Sequence, residues 1–157
     1  MNLEELFPKS VQILDLQARD KEGAIRELLR HLVTLGRLDE AQADSAAATI
    51  LEKERQASTG IGRGLAVPHA KNCGFLQGIF GVFGRSRSGV SFNSVDGDPV
   101  SLLFLVISST EYSDQHVSAI RKVAKLGRDE KSLRYIATVA DQDGILEIFR
   151  EIDAEAP

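Results

Sequence analysis

Cysteine, surplus basic charge and long apolar runs are all scarce in this sequence, and each shortage closes a class of function. The single cysteine, Cys73, excludes an internal disulfide and any zinc site built from several thiolates. Lys plus Arg number 19 against 23 Asp plus Glu, a formal charge of -4. That balance argues against a nucleic-acid binder, because binding the phosphate backbone calls for a basic surface. No apolar run reaches the roughly 18–20 residues of a membrane helix. The longest, Val100 to Ile107, is interrupted by Ser101 and is strand-sized. The acidic start, Met1-Asn2-Leu3-Glu4-Glu5, lacks the basic-then-apolar layout of a signal peptide, so cytoplasm is the expected location and no direct membrane insertion is expected. Internal repeats and low-complexity tracts are absent as well.

What is present fits one globular domain over residues 1–157, with 43% hydrophobic and 27% charged residues. Folding a chain of this length buries about two-thirds of its surface, enough for a core without disulfides or metal. The ends, about 1–8 and 153–157, read as loosely ordered. Val11 to Leu16 reads as a short strand. Asp20 opens a helix carrying Ala24, Ile25, Leu28, Leu29 and Leu32 at helical spacing, with Gly36 as its stop. A second helix spans Asp39 to Gln56. Strands are expected at Ile79 to Phe83 and Leu102 to Ile107, with Val90 to Phe92 as a short extended piece and Asp96-Gly97 as a turn. Ser113 to Leu126, Ser132 to Ala140 and Gly144 to Ile152 read as helices. Helices mixed with buried strands along the chain predict an α/β sandwich, a central sheet with helices packed on it.

Three histidines are available for chemistry. His31, inside the first long helix, reads as a packing or surface residue. His69 follows Pro68, which stiffens the backbone, and the glycines Gly60, Gly62 and Gly64 precede it. Glycines let backbone N–H groups approach an anion closely, and a neutral imidazole is a good nucleophile near pH 7. The spacing lacks the Lys-Ser/Thr of a P-loop and the usual dinucleotide pattern. His116 lies in the first turn of a helix, where a histidine can meet an anion or merely finish the helix end. Ser58 and Thr59 offer hydroxyls, and Lys53, Arg55 and Arg63 offer cations. The run Glu52-Lys53-Glu54-Arg55 reads as a solvated helix face. Two histidines without a carboxylate at motif spacing make a poor zinc set, so neither metal nor cofactor is expected. Nothing around Cys73 marks the base of a thiol hydrolase.

The stretch Ser58-Thr-Gly-Ile-Gly-Arg-Gly-Leu-Ala-Val-Pro-His69-Ala-Lys71, with a second histidine at 116, resembles the enzyme IIA domains of the phosphoenolpyruvate-dependent sugar phosphotransferase system, fructose/mannitol class. Thr-Gly-Ile-Gly followed by Ala-Val-Pro-His is most similar to the nitrogen-regulatory IIA proteins of that class. The resemblance runs from the first long helix through Ile152. It implies a mixed sheet flanked by helices and a phosphotransferase component that accepts a phosphoryl group from the phosphohistidine carrier protein. It implies His69 as the phosphoacceptor, at Nε2, and His116 as the second active-site histidine. Donors to the phosphoryl group would be His116, the backbone around Gly62 to Leu65 with Gly64 among them, and Thr59. The family's usual arginine falls at Lys53, so either Lys53 acts as a point charge or Arg55 reaches in. Ala70 replaces a glycine common in the family. The onward partner is a IIB component or a regulatory target. Nitrogen regulation is the expected role, with sugar uptake through a IIB component and a non-transferring regulatory binding module as the alternatives.

Overall fold

The computed structural model describes residues 1–155. Strand β6 (Val100–Ser108) is the spine, and its alternating side chains build two cores. Leu103, Leu105 and Ile107 face one layer, while Leu102, Phe104 and Val106 face the other. Both faces are covered, so nearly every residue of the strand is apolar.

The first layer is α2 (Lys21–Thr34) and α3 (Glu40–Gln56). Asp20 caps α2 through the Gly23 N–H, and Asp39 forms a reciprocal box with Gln42 at the start of α3. The second layer is α1 (Leu3–Leu6), α4 (Ser113–Leu126), α5 (Glu130–Thr138) and α6 (Gln142–Ala154). Asp129 and Asp141 cap the last two helices. Phe7, Phe83, Phe104 and Phe149 meet in this layer, with Phe83 and Phe104 ring centroids 4.8 Å apart.

The mixed sheet runs β1-β5-β6-β3-β2, with β4 also on β6. β1 (Gln12–Ile13) is parallel to β5 (Ile79–Val90), and β5 is antiparallel to β6. β3 (Leu65–Ala66) and β4 (His69–Ala70) pair in parallel with β6 in one continuous register, Leu65 opposite Leu102 and His69 opposite Val106. They are one strand interrupted at Val67-Pro68, where proline has no N–H to give. β2 (Gly60–Gly62) returns on β3 through a two-residue turn at Arg63-Gly64. Both turn residues have positive φ, 57° and 77°, which is the twist-matched hairpin turn and the reason a glycine stands there. Arg85, nearly buried, donates to the carbonyls of Leu14, Ile136 and Val139, and so ties the sheet to the end of α5.

The mixed sheet between two helical layers is the architecture expected from the sequence. Several elements differ in detail. The strand expected over Val11 to Leu16 pairs only at Gln12–Ile13. Val90 is the end of the long β5 rather than the start of a separate piece. The fifth helix begins at Glu130, two residues before the expected Ser132. The segment expected to be loose at 1–8 is packed: Leu3 and Phe7 are fully buried. Asp153 accepts from the Leu3 and Glu4 N–H groups, at 2.7 and 3.1 Å, so α6 holds α1 through the stretch expected to fray. Positions 156–157 of that expectation lie outside the described residues. Gly81 on β5 shows how close this packing is, since a Cβ there would lie 2.9 Å from the Leu6 carbonyl oxygen. Phe7→Ala should therefore lower unfolding free energy by about 3–5 kcal/mol. Urea titration checks this: a cost below about 1 kcal/mol would mean that the N-terminal segment is not part of the core.

Candidate functional site

His69 lies on β4 opposite Val106, at the carboxyl end of the parallel strands, where α/β sheets commonly hold ligands. The glycine turn sits at the other end of the same strand line. Leu65 is opposite Leu102, four residues down β6 from Val106, or about 13 Å at strand rise. Gly62 pairs at that level and Gly64 lies next to Ser101, so neither reaches His69. The structure thus separates Gly62 and Gly64 from the imidazole that the sequence places them beside. Their conformations serve the hairpin.

The two histidines do come together. Their ring centroids are 5.6 Å apart with planes inclined by 62°. His69 is half-buried, and its Nδ1 lies 2.7 Å from the Val67 carbonyl oxygen. A carbonyl can only accept, so Nδ1 carries the proton and Nε2 keeps its lone pair. His116, the fourth residue of α4, is 1% exposed. Its Nδ1 is 2.7 Å from Ser108 Oγ at the end of β6, and its Nε2 is buried without a partner. Burial pushes the His116 pKa down to about 4, helped by the His69 imidazole and then by the Lys71 and Lys53 ammoniums. At neutral pH the ring is uncharged, with an unmet polar atom beside His69.

Of the two cations left open by the sequence, both exposed, Lys53 is the one whose charge bears on the histidine pair. It stands in the last turn of α3, which packs against β4, and its charge reaches both His116 and Cys73. Arg55, two residues on and so on the opposite side of the helix, is exposed and paired with Glu52. Lys71, just beyond β4, is a further cation near His116 that reasoning from the sequence did not single out, although it closes the quoted motif. Ser108 was missed too, since a serine ending a strand gives no signal. Thr59 is accounted for differently from expectation: its hydroxyl hydrogen goes to Glu54, so it is not free for an anion. Glu54 itself departs from the solvated-face reading, being 6% exposed.

Cys73 is buried, its backbone N–H donates to the Ser108 carbonyl, and burial pushes its thiol pKa up, away from a reactive thiolate. His31 Nε2 meets the Ser10 carbonyl oxygen at 2.7 Å and fastens α2 to the segment before β1. Among the described residues no group of three or more His, Cys, Asp and Glu could hold a metal ion, and no helix is long and apolar enough to cross a membrane.

The His116 burial carries a sign. Unfolded, its imidazole takes a proton below about pH 6.5; folded, it does so only near 4. Its contribution is intact above pH 6.5 and is lost as pH falls toward 4, because the unfolded chain then binds the extra proton. Between pH 7 and 5 this group should remove about 2 kcal/mol of unfolding free energy. Urea titrations of wild type and His116→Gln at both pH values check it: the variant should lose less by that amount, and equal losses would contradict a neutral buried ring.

The description "Phosphoenolpyruvate-dependent sugar phosphotransferase system, EIIA 2" belongs to a family model that matches residues 5–152. The fructose-specific EIIABC component of Bacillus subtilis (strain 168) is 33% identical over 98% of this chain, which spans only 24% of that protein's length. A nitrogen regulatory protein of Bradyrhizobium diazoefficiens is 28% identical, with 95% of each chain covered. The crystal structure of nitrogen regulatory protein IIA-Ntr from Neisseria meningitidis superposes with a TM-score of 0.82 at 26% identity, covering 94% of this chain and 98% of that one. With the motif, the fold and the paired histidines in agreement, the chain belongs to the EIIA type-2 family of the phosphoenolpyruvate-dependent sugar phosphotransferase system.

Proposed function

We propose that this protein is a phosphoryl carrier that accepts a phosphoryl group on His69 Nε2 from the phosphohistidine carrier protein. The observation that carries the reading is the orientation of His69, whose Nδ1 proton is held by the Val67 carbonyl and whose Nε2 lone pair is left free. Nε2 attacks phosphorus in line as the bond to the donor's imidazole nitrogen breaks, and that nitrogen keeps the electron pair. Nε2 has no proton to lose, so no general base is needed. The phosphorylated ring retains its Nδ1 proton, and the Val67 carbonyl stabilises the positive charge that the ring acquires.

Charge on the phosphoryl oxygens is met by His116. With Ser108 donating its hydroxyl hydrogen to Nδ1, the unpartnered Nε2 carries a proton and donates it in a hydrogen bond toward the oxygens. Lys53 and Lys71 add positive charge without the fork that an arginine would give. Such groups are effective because they are in place before the charge arrives.

The downstream role proposed is nitrogen regulation through a target protein, in the cytoplasm. The match to the Bradyrhizobium protein along 95% of both chains supports it. Sugar uptake through a IIB component is the second reading, favoured by the 33% identity to the fructose-specific EIIABC component.

Incubation with the general phosphotransferase enzyme, the carrier and labelled phosphoenolpyruvate tests the core of this reading. Wild type should take up one acid-labile phosphoryl group and His69→Ala none. Full labelling of His69→Ala would overturn the assignment. His116→Gln should slow uptake by about a hundredfold, the usual cost of removing one preorganised donor. Transfer from the labelled protein to a purified fructose-class IIB component would favour the uptake reading over regulation.

A further inference from the structure

Among the described residues, Glu54 is the buried carboxylate that the phosphoryl chemistry does not use. Its side chain is 2% exposed, close to the end of α3. Burying a carboxylate is costly, and an apolar side chain of similar size would often do as well for stability. What surrounds it is therefore informative. Lys21 at the start of α2 sits 3.0 Å away, with its ammonium 4.7 Å from the Phe92 ring centroid. The remaining partners belong to one residue: the Thr59 N–H donates at 3.1 Å, and the Thr59 hydroxyl donates as well.

From Thr59 the contacts lead to the site. The Thr59 carbonyl accepts from the Val67 N–H at 3.1 Å, and the Val67 carbonyl accepts from His69 Nδ1 at 2.7 Å. Val67 lies between β3 and β4 and turns its N–H away from β6, which bonds to Pro68 instead, so Thr59 supplies the hold on that N–H. We propose that Glu54 is a positioning residue for His69: through Thr59 and Val67 it fixes the ring's orientation and keeps its proton on Nδ1. The same carboxylate anchors the turn of α3 that carries Lys53. Its importance for transfer rests on the reading of His69 as phosphoacceptor, whereas its effect on the ring does not.

The nitrogen that attacks must be unprotonated, so the reactive fraction of the protein equals the fraction whose neutral ring holds its single proton on Nδ1. Without the Glu54 carboxylate Thr59 loses the acceptor of its N–H and hydroxyl, its hold on Val67 between the anchored Ser58 and Gly60 loosens, and the ring populates both tautomers. A purely structural carboxylate would lower stability and leave the tautomer alone.

Long-range ¹H–¹⁵N correlation spectra of the ¹⁵N-labelled free protein at pH 8 report the tautomer directly. Wild type should show His69 with a protonated Nδ1 and an unprotonated Nε2. Glu54→Gln and Thr59→Val should both move the ring to a mixture, and Thr59→Ser, which keeps the hydroxyl, should restore the wild-type pattern. Phosphoryl uptake should fall by about tenfold or more in the first two variants and recover in the third. Should Glu54→Gln fail to fold, the Thr59→Val and Thr59→Ser pair decides the matter from the loop side. A folded Thr59→Val or Glu54→Gln protein with the wild-type His69 tautomer overturns the proposal. If the tautomers move as expected but even wild type takes no label, the positioning role stands and the phosphoryl-carrier reading falls.

Discussion

One hydrogen bond, from His69 Nδ1 to the carbonyl oxygen of Val67, gives the rest of the site its meaning. An imidazole has two nitrogens, and which one is nucleophilic depends on where the proton is held. Here a main-chain carbonyl two residues back decides it. That carbonyl faces away from β6, whose Val106 N–H bonds to Pro68 at the break between β3 and β4. The irregularity is stabilised on both sides by pairing in a common register, and by Thr59 from outside the sheet.

The two helical layers make different contributions. The layer holding α4 supplies a second imidazole that is neutral because it is buried, and Ser108 at the end of β6 fixes its Nδ1. The layer holding α2 and α3 supplies charge, with Lys53 at the last turn of α3 and a buried Lys21–Glu54 pair behind it. The polar site thus lies at the ends of β4 and β6, beside two apolar cores, so its rigidity comes from packing remote from the chemistry.

The long helices were legible because their signals are local: Asp20 and Asp39 stand where caps belong, and the apolar positions of α2 repeat at helical spacing. The short strands β2, β3 and β4 were not, since two or three extended residues show no period. That omission misled the reading of the glycines. Gly60, Gly62 and Gly64 look like a cradle for the nearby histidine when only chain distance is known, and the strand pairing then carries Gly62 and Gly64 toward the far end of β6. Lys53 and Arg55 could not be told apart by spacing, because the choice depends on which side of α3 faces β4. Glu54 was hidden within a run of charges, three of which are indeed exposed. Burial of the fourth follows from Thr59 and Lys21, one in the following loop and one on another helix, and neither can be inferred from the run itself.

The clasp between Asp153 and the amides of Leu3 and Glu4 brings both extremities of the folded unit to the same spot on the α1–α6 layer. A polypeptide that enters and leaves at neighbouring points can be spliced into the loop of a larger protein without being pulled open, as adjacent termini generally permit. The architecture is therefore modular in a mechanical sense: it can be threaded into longer polypeptides while the imidazole pair remains undisturbed.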